Sequence, residues 1–170
     1  MTEFRRPTLL DLARHDRATF GSGDAVLDEW LRRYAGQNRR RDTAATWVIA
    51  DVDQAVVAYA TVAMTAINRS VAPQSVARQA PDPVPALLIG RLAVDRRHSG
   101  LGVGTALVAH VVATAVELNT KAACRALVVN AIHSAARGWW EHLGFQAFDE
   151  QSLDLYLLTS DIEATLRGLR

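Results

Sequence analysis

The sequence predicts a mixed α/β fold in which helices cover both faces of one central sheet. Three observations support this class. Hydrophobic residues make up 49% of the chain, strand-like and helix-like segments alternate along it, and one glycine-rich turn joins a strand directly to a helix. A chain of 170 residues fits one domain with one core, so we expect residues 1–170 to form a single domain.

The first clear element is an amphipathic helix from about Ala25 to Arg40. Asp24 precedes it and is a favourable N-cap residue. Four apolar residues follow at the i, i+3, i+4, i+7 spacing of one helix face: Leu27, Trp30, Leu31 and Tyr34. The arginines of this segment lie off that stripe and are expected to be exposed.

A hairpin follows the helix. The runs Ala45–Val52 and Ala55–Ile67 are rich in β-branched and aromatic residues, and polar residues separate them. Residues 68–85 are then expected to form a loop, because four prolines interrupt any regular pairing there. A loop of this length is either functional or a solvated connection.

The second half alternates strands with helices. We expect a buried strand at Ala86–Val94, a helix at about Thr105–Leu118 and a strand at Arg125–Asn130. A short helix at about Ser134–Leu143 should end at Gly144, which is a natural C-terminal cap. One further strand is expected to begin at Phe145, and a last one is expected at Leu153–Leu158.

Composition excludes several classes of protein. The single cysteine, Cys124, permits no internal disulfide and no cysteine metal cluster, and the five histidines show no metal-ligand spacing. We therefore expect no metal site. No apolar run is long enough to span a bilayer, and the first twelve residues lack a signal core, so the expected location is cytoplasmic.

Positive charge is concentrated in one segment although the net charge is only +1. Five arginines fall within ten residues: Arg32, Arg33, Arg39, Arg40 and Arg41. Such a run is either a solvated helix face or a surface that binds phosphates. Arg91, inside the predicted strand at Ala86–Val94, is expected either to pair with an acid or to line a substrate site.

The strand, glycine turn and helix over Leu87–Leu118 carry the strongest chemical signal. Gly100, Gly102 and Gly104 allow backbone N–H groups to converge on an anion, and the helix that follows adds the positive end of its dipole. A P-loop would need a lysine, and a dinucleotide fingerprint would need GxGxxG; the turn has neither. The segment from Arg97 to Gly102 reads R-H-S-G-L-G and fits the remaining pattern, Q/R-x-x-G-x-G/A.

That pattern is the acetyl-CoA loop of GNAT N-acetyltransferases, and longer stretches resemble the GNAT toxins of type II toxin–antitoxin modules. Residues 88–95 (LIGRLAVD) before the loop, 20–31 with their FGSG and LDEWL, 57–62 (VAYATV) and 141–145 (EHLGF) all resemble family segments. Arg39–Arg41 resemble the basic end of the family's first helix, and the likeness covers about Phe20–Ile162.

The resemblance implies the GNAT fold, with six to seven strands splayed around an acetyl-CoA site. It places the pantetheine arm on the backbone of Leu92, Ala93 and Val94, with the Val94 N–H as oxyanion donor. It places Asn130 and Trp139 along the thiol half of the cofactor. The pyrophosphate would bind to the loop and the start of the helix, formed by Arg97, His98, Ser99, Gly100, Leu101, Gly102, Val103, Gly104 and Thr105.

The resemblance also implies an acceptor and partners. Family members acetylate the α-amino group of aminoacyl-tRNA and so block translation, and they form dimers and bind a ribbon-helix-helix antitoxin. The tRNA would contact the basic helix and the loop before the glycine strand. The corresponding arginines are Arg32, Arg33, Arg39, Arg40, Arg41 and Arg78.

One position departs from the family. A tyrosine that protonates the departing thiolate is replaced here by Trp140, and an indole N–H is too weak an acid for that step. Water, Tyr59 or Tyr156 would then supply the proton, or turnover would be slow or absent. Three hypotheses follow: an aminoacyl-tRNA acetylating toxin, a GNAT enzyme for a small amine or a protein N-terminus, and a non-catalytic acetyl-CoA-binding protein.

Overall fold

The computed structural model describes residues 3–162. It contains seven strands, β1 to β7, in a mixed sheet with the order β1-β2-β3-β4-β5-β7-β6. The strands are Thr8–Leu9, Ala45–Ala50, Val56–Ile67, Val84–Val94, Ala126–Asn130, Gln146–Ala147 and Asp154–Leu158. The predicted α/β class and strand number are therefore confirmed.

Five α-helical segments, α1 to α5, accompany the strands. They are Ala25–Glu29, Ala35–Arg40, Gln74–Ala77, Val103–Asn119 and Ser134–His142. A π-helical turn at Trp30–Tyr34 joins α1 to α2, so the predicted helix from Ala25 to Arg40 is continuous. Short 3₁₀ turns occur at Arg96–His98 and Thr159–Asp161. Within residues 3–162, no helix combines the length and apolar character needed to cross a membrane.

The described chain divides into two compact units, residues 3–63 with 90–111 and residues 64–89 with 112–162. The expectation of a single domain stays a prediction. In the first unit, β2 pairs antiparallel with both β1 and β3, which confirms the predicted hairpin. Its core joins Phe20, Trp30, Leu31 and Tyr59 to Ala93 of β4.

The second unit is built on β5. This strand pairs parallel with β4 from Ala86↔Ala126 to Ile89↔Val129 and antiparallel with β7. Its core contains Val76, Val84, Val128 and Tyr156. Cys124 is buried, as a small core residue would be.

One predicted loop and two predicted boundaries were wrong in detail. The proline-rich loop contains the short helix α3. Strand β4 begins at Val84 and not at Ala86, because Pro85, although it has no N–H, can still accept a hydrogen bond through its carbonyl, here from the Arg125 N–H at 2.9 Å. Helix α4 begins at Val103, so Gly104 lies inside the helix. The prediction from Gly144 was right, since its φ of +101° ends α5.

Candidate functional site: a glycine turn at the end of a strand

The turn between β4 and α4 has the geometry of an anion cradle. Gly100 and Gly102 have φ values of +76° and +77°, a region that side-chain-bearing residues rarely adopt. A Cβ added at either glycine would meet no atom within 4 Å, so the space beside the backbone is open. Helix α4 begins at Val103, and the first N–H groups of a helix have no partner within it. These groups can bind a phosphate.

A buried carboxylate holds this turn in place. Asp95 is 1% exposed and accepts hydrogen bonds from the Arg97 N–H, from Arg97 Nε and Nη2, and from the Gly21 N–H, at 2.9 to 3.1 Å. Its own N–H donates to the Val57 carbonyl at 2.8 Å. Hydrogen bonds from the Arg97 side chain keep the pKa of the Asp95 carboxyl far below its usual range. Asp95 therefore joins β3, the segment at Gly21 and the turn.

Arg97 also has a positioning role within the turn. Its backbone N–H and two guanidinium nitrogens donate to Asp95, and Nη2 also donates to the Thr19 carbonyl at 3.2 Å. These donors hold the turn in place, and direct contact of Arg97 with a phosphate stays a prediction.

The side chain of His98 is largely covered. It is 16% exposed, its ring packs edge-on against Phe4 at 5.5 Å, and Nδ1 lies 3.7 Å from the Asp95 carboxylate. His98 therefore packs under the turn, while Ser99, Gly100, Leu101 and Gly102 are exposed.

The strand before the turn offers a backbone edge. The β4–β5 ladder ends at Ile89↔Val129, and β4 continues from Gly90 to Val94 beyond the last of these pairs. Backbone N–H and C=O groups along such an edge can pair with the amides of an extended ligand. The edge and the cradle thus fit a ligand that has an amide arm and a pyrophosphate.

In the second unit, polar caps fix the segment after β5. Asn130, the last residue of β5, donates from Nδ2 to Asp154 at 2.7 Å. His133 caps α5, because its Nδ1 accepts from the Ala136 N–H at 3.0 Å. Arg137 donates from Nη1 to the carbonyls of Glu150 and Ser152, which ties α5 to the loop before β7.

The two adjacent tryptophans of α5 differ in exposure. Trp139 is half-buried, whereas Trp140 is 6% exposed and packs edge-on against Trp139 and Phe145, each at 5.0 Å between ring centroids. Trp140 therefore contributes to the apolar core of its unit.

The arginines predicted to bind RNA are all exposed. Arg32 donates to the Phe20 carbonyl at 2.8 Å, and Arg33 and Arg39 form surface ion pairs with Glu29 and Asp42. Exposed pairs of this kind contribute little stability and open readily to another anion.

Comparisons with known proteins decide the family. The model of the GNAT acetyltransferase family matches residues 9–145. A tRNA-acetylating toxin of Mycobacterium tuberculosis is 34% identical over 151 residues, which cover 89% of this chain and 90% of that protein. The chain belongs to the GNAT acetyltransferase family. It is accordingly an acetyltransferase by family.

Solved structures agree on the fold of this GNAT chain. AtaT in complex with acetyl-methionyl-tRNAfMet has a TM-score of 0.86 at 24% identity, and the match covers 95% of this chain and 98% of that one. An AtaT mutant bound to the C-terminus of the antitoxin AtaR has a TM-score of 0.81 at 23% identity, with 95% of each chain covered. The predicted GNAT fold is confirmed.

Of the two tyrosines considered as substitute acids in this GNAT chain, Tyr59 is disfavoured. It is completely buried, it stacks on Trp30, and its hydroxyl donates to the Leu27 carbonyl at 2.6 Å. Burial raises the pKa of its hydroxyl well above the usual value. A buried phenol whose proton is already held in a hydrogen bond is poorly placed to protonate the departing thiolate.

Tyr156 has a more polar environment than Tyr59, but its side chain is buried as well, with 6% of its surface exposed. Its hydroxyl lies 2.8 Å from Ser75 Oγ and donates to Gln146 Oε1 at 2.9 Å. This network links α3 to β6, so Tyr156 has a structural role, and its role as an acid stays a prediction.

Sequence reasoning missed Asp95. Its partner Gly21 lies 74 residues earlier, and no local pattern announces a contact of that separation. An Asp directly after a buried strand, two residues before an arginine, was the available signal.

Proposed function

We propose that this GNAT chain is an acetyl-CoA-dependent toxin that acetylates the α-amino group of aminoacyl-tRNA and thereby stops translation. The observation that carries the proposal is the 34% identity to a tRNA-acetylating toxin across 89% of the chain. A match of that extent includes the basic N-terminal helix, which cofactor binding alone would not require.

The described residues fit acetyl-CoA. The open cradle at Gly100 and Gly102 and the N-terminus of α4 suit its pyrophosphate, and the β4 edge from Leu92 to Val94 suits its pantetheine amides. Asn130 and Trp139 are the proposed contacts of its thiol half. When bound, acetyl-CoA supplies the acetyl group as an activated thioester.

The chain needs few specialised groups for this transfer. An α-amino group has a reference pKa near 8, so about a tenth of it is neutral at pH 7 without a base. The Val94 N–H is the proposed oxyanion donor. Because Trp140 cannot protonate the thiolate and Tyr59 is buried, water or Tyr156 is the proposed proton source.

The RNA surface is proposed to be the arginine end of the first helix, at Arg32, Arg33, Arg39, Arg40 and Arg41, together with Arg78. Counter-ion release from the RNA backbone would supply much of the affinity.

A ribbon-helix-helix antitoxin is proposed to bind the same toxin, as AtaR binds AtaT. We further propose a homodimer that acts in the cytoplasm, where charged tRNA is found.

The test is transfer of labelled acetyl from acetyl-CoA to a pool of aminoacylated tRNA. Gly102→Glu should abolish the label, because it adds a side chain and a negative charge where φ is +77°. Val52→Glu is the matched control, since it adds the same charge at an exposed turn residue.

Label on the aminoacyl end that is lost only in Gly102→Glu supports the proposal. Absence of label with acetyl-CoA still bound contradicts it. In that case a small amine or a protein N-terminus would be tested as acceptor, and Trp140 would favour a non-catalytic acetyl-CoA-binding role.

A further inference from the structure

One arginine stands apart from the others in its surroundings. Four arginines among residues 3–162 are half-buried: Arg17, Arg91, Arg125 and Arg137. Three of them donate hydrogen bonds to backbone carbonyls, at distances of 2.8 to 3.3 Å. Arg91 is the exception. Within the described chain it forms no ion pair and no hydrogen bond to protein.

The side chain of Arg91 is nevertheless held in place. Its guanidinium carbon lies 4.5 Å from the centroid of the Trp30 ring. Trp30 is 7% exposed and stacks on Tyr59 with 5.9 Å between centroids and 10° between planes. Tyr59 is fixed in turn by its hydrogen bond to the Leu27 carbonyl. Arg91 therefore presents a guanidinium that lies over an aromatic face and whose donors have no partner among residues 3–162.

The position of Arg91 on β4 indicates which ligand these donors meet. It lies one residue before the Leu92–Val94 edge, and the phosphate cradle begins beyond Asp95. Four residues of strand separate Arg91 from Asp95 by about 13 Å. The anionic groups of acetyl-CoA would bind at the far end of that span, and its pantetheine and acetyl groups carry no charge. An anion at Arg91 must therefore come with the acceptor.

We propose that Arg91 binds a phosphodiester next to the 3′-terminal nucleoside of the RNA acceptor, and so places the aminoacyl end at the thioester. This inference rests on the proposed function. An arginine fork with free donors matches the oxygens of a phosphodiester. The contact would act where chemistry occurs, in contrast to the exposed arginines of the first helix.

The experiment compares Arg91→Gln and Arg91→Lys with wild type. Binding of uncharged tRNA is measured as a function of salt, and acetyl transfer is measured with aminoacyl-tRNA and with an aminoacyl nucleoside that has no phosphodiester. Arg6→Gln is the matched control, because it removes one exposed positive charge of the same unit. Urea midpoints and acetyl-CoA affinity are measured for each variant.

Arg91→Gln is expected to lower kcat/KM for aminoacyl-tRNA about 10- to 100-fold, the range of a charge-assisted contact. The salt slope should fall by about 0.7 to 0.9, and transfer to the aminoacyl nucleoside should be unchanged. Arg91→Lys should keep the slope and recover part of the activity, since it retains the charge but not the fork. Acetyl-CoA affinity should not change.

Several results would overturn the inference. An unchanged salt slope in Arg91→Gln excludes a phosphate contact, and an equal loss with the aminoacyl nucleoside places the contact on the aminoacyl group. A lower urea midpoint without a change in slope indicates a structural role only. If wild type fails to acetylate any aminoacyl-tRNA but its binding to uncharged tRNA depends on Arg91, the phosphodiester contact stands and the proposed acetylation fails.

Discussion

Replacement of Asp95 by asparagine tests whether one carboxylate holds the phosphate cradle. The side chain accepts from two backbone donors, the Gly21 and Arg97 N–H groups, and from two guanidinium nitrogens of Arg97. An asparagine oxygen can keep one backbone donor, while its NH₂ group faces the other. One unsatisfied buried donor costs about 1–3 kcal/mol.

The guanidinium pair adds less, because the Arg97 side chain is 62% exposed. Loss of the ion pair between Asp95 and the Arg97 guanidinium therefore costs about 1 kcal/mol more. The free energy of unfolding should therefore fall by about 2–4 kcal/mol in Asp95→Asn. For a chain of this size that corresponds to a Tm lower by roughly 4–16 °C.

Urea denaturation at pH 7 and titration with acetyl-CoA are the assays. Asp51→Asn is the matched control, since Asp51 also accepts from two backbone N–H groups, those of Asp53 and Ala55, but lies at the β2–β3 turn. The control should leave acetyl-CoA affinity unchanged, whereas Asp95→Asn should weaken it. A loss of stability under about 0.5 kcal/mol in Asp95→Asn would refute the reasoning.

The same residue predicts a pH dependence. The pKa of Asp95 is lower in the folded chain than the unfolded value of about 3.9. Its stabilising contribution is therefore complete above the unfolded pKa and is lost as pH falls towards the folded pKa. The difference in unfolding free energy between wild type and Asp95→Asn should shrink between pH 7 and pH 3, and a constant difference would contradict this origin.

Three further predictions concern single side chains. Gly102→Ala should lower the free energy of unfolding by about 1–2 kcal/mol, because the φ of Gly102 is +77°. Gly138→Ala should raise it by about 0.5–1 kcal/mol, because Gly138 lies in α5 and no atom lies within 4 Å of the added Cβ. Thermal unfolding of both variants provides the comparison. Trp140→Phe should keep kcat for acetyl transfer within roughly threefold, since indole is not the acid; a larger loss would mean that the indole N–H contributes. Tyr59→Phe should cost about 1 kcal/mol through its bond to Leu27 and leave the pH profile of kcat unaltered, and a shifted profile would restore Tyr59 as the acid.

Local patterns were enough to place most elements. Asp24 accepts from the Val26 and Leu27 N–H groups as an N-cap should, and Gly144 adopts the positive φ expected of a helix end. Strand β1 was missed because Thr8–Leu9 is too short to show alternation. Helix α3 was missed because Pro73 and Pro81 frame only a few residues and obscure the short turn between them.

The candidate site was predictable where it depends on backbone and not where it depends on distant contacts. Glycine spacing identified the cradle, because positive φ is a local requirement. The cation–π contact of Arg91 with Trp30 joins residues 61 positions apart, and packing of that kind has no local signature. Tyr59 likewise lies on an alternating strand face, yet alternation alone cannot tell a core face from a substrate face.

The π-helical turn at Trp30–Tyr34 contains one residue more than a regular α-helical turn between α1 and α2 would contain. For this reason Ala35, and not Tyr34, takes the next buried position after Leu31; Tyr34 is 44% exposed. Removal of one exposed residue from this turn would convert it to regular α-helix without rotating α2 relative to α1. A deletion anywhere else in the helix would turn the arginine end by about 100°. The helix can therefore lose a residue at this point while its apolar stripe and its charged end keep their relative orientation.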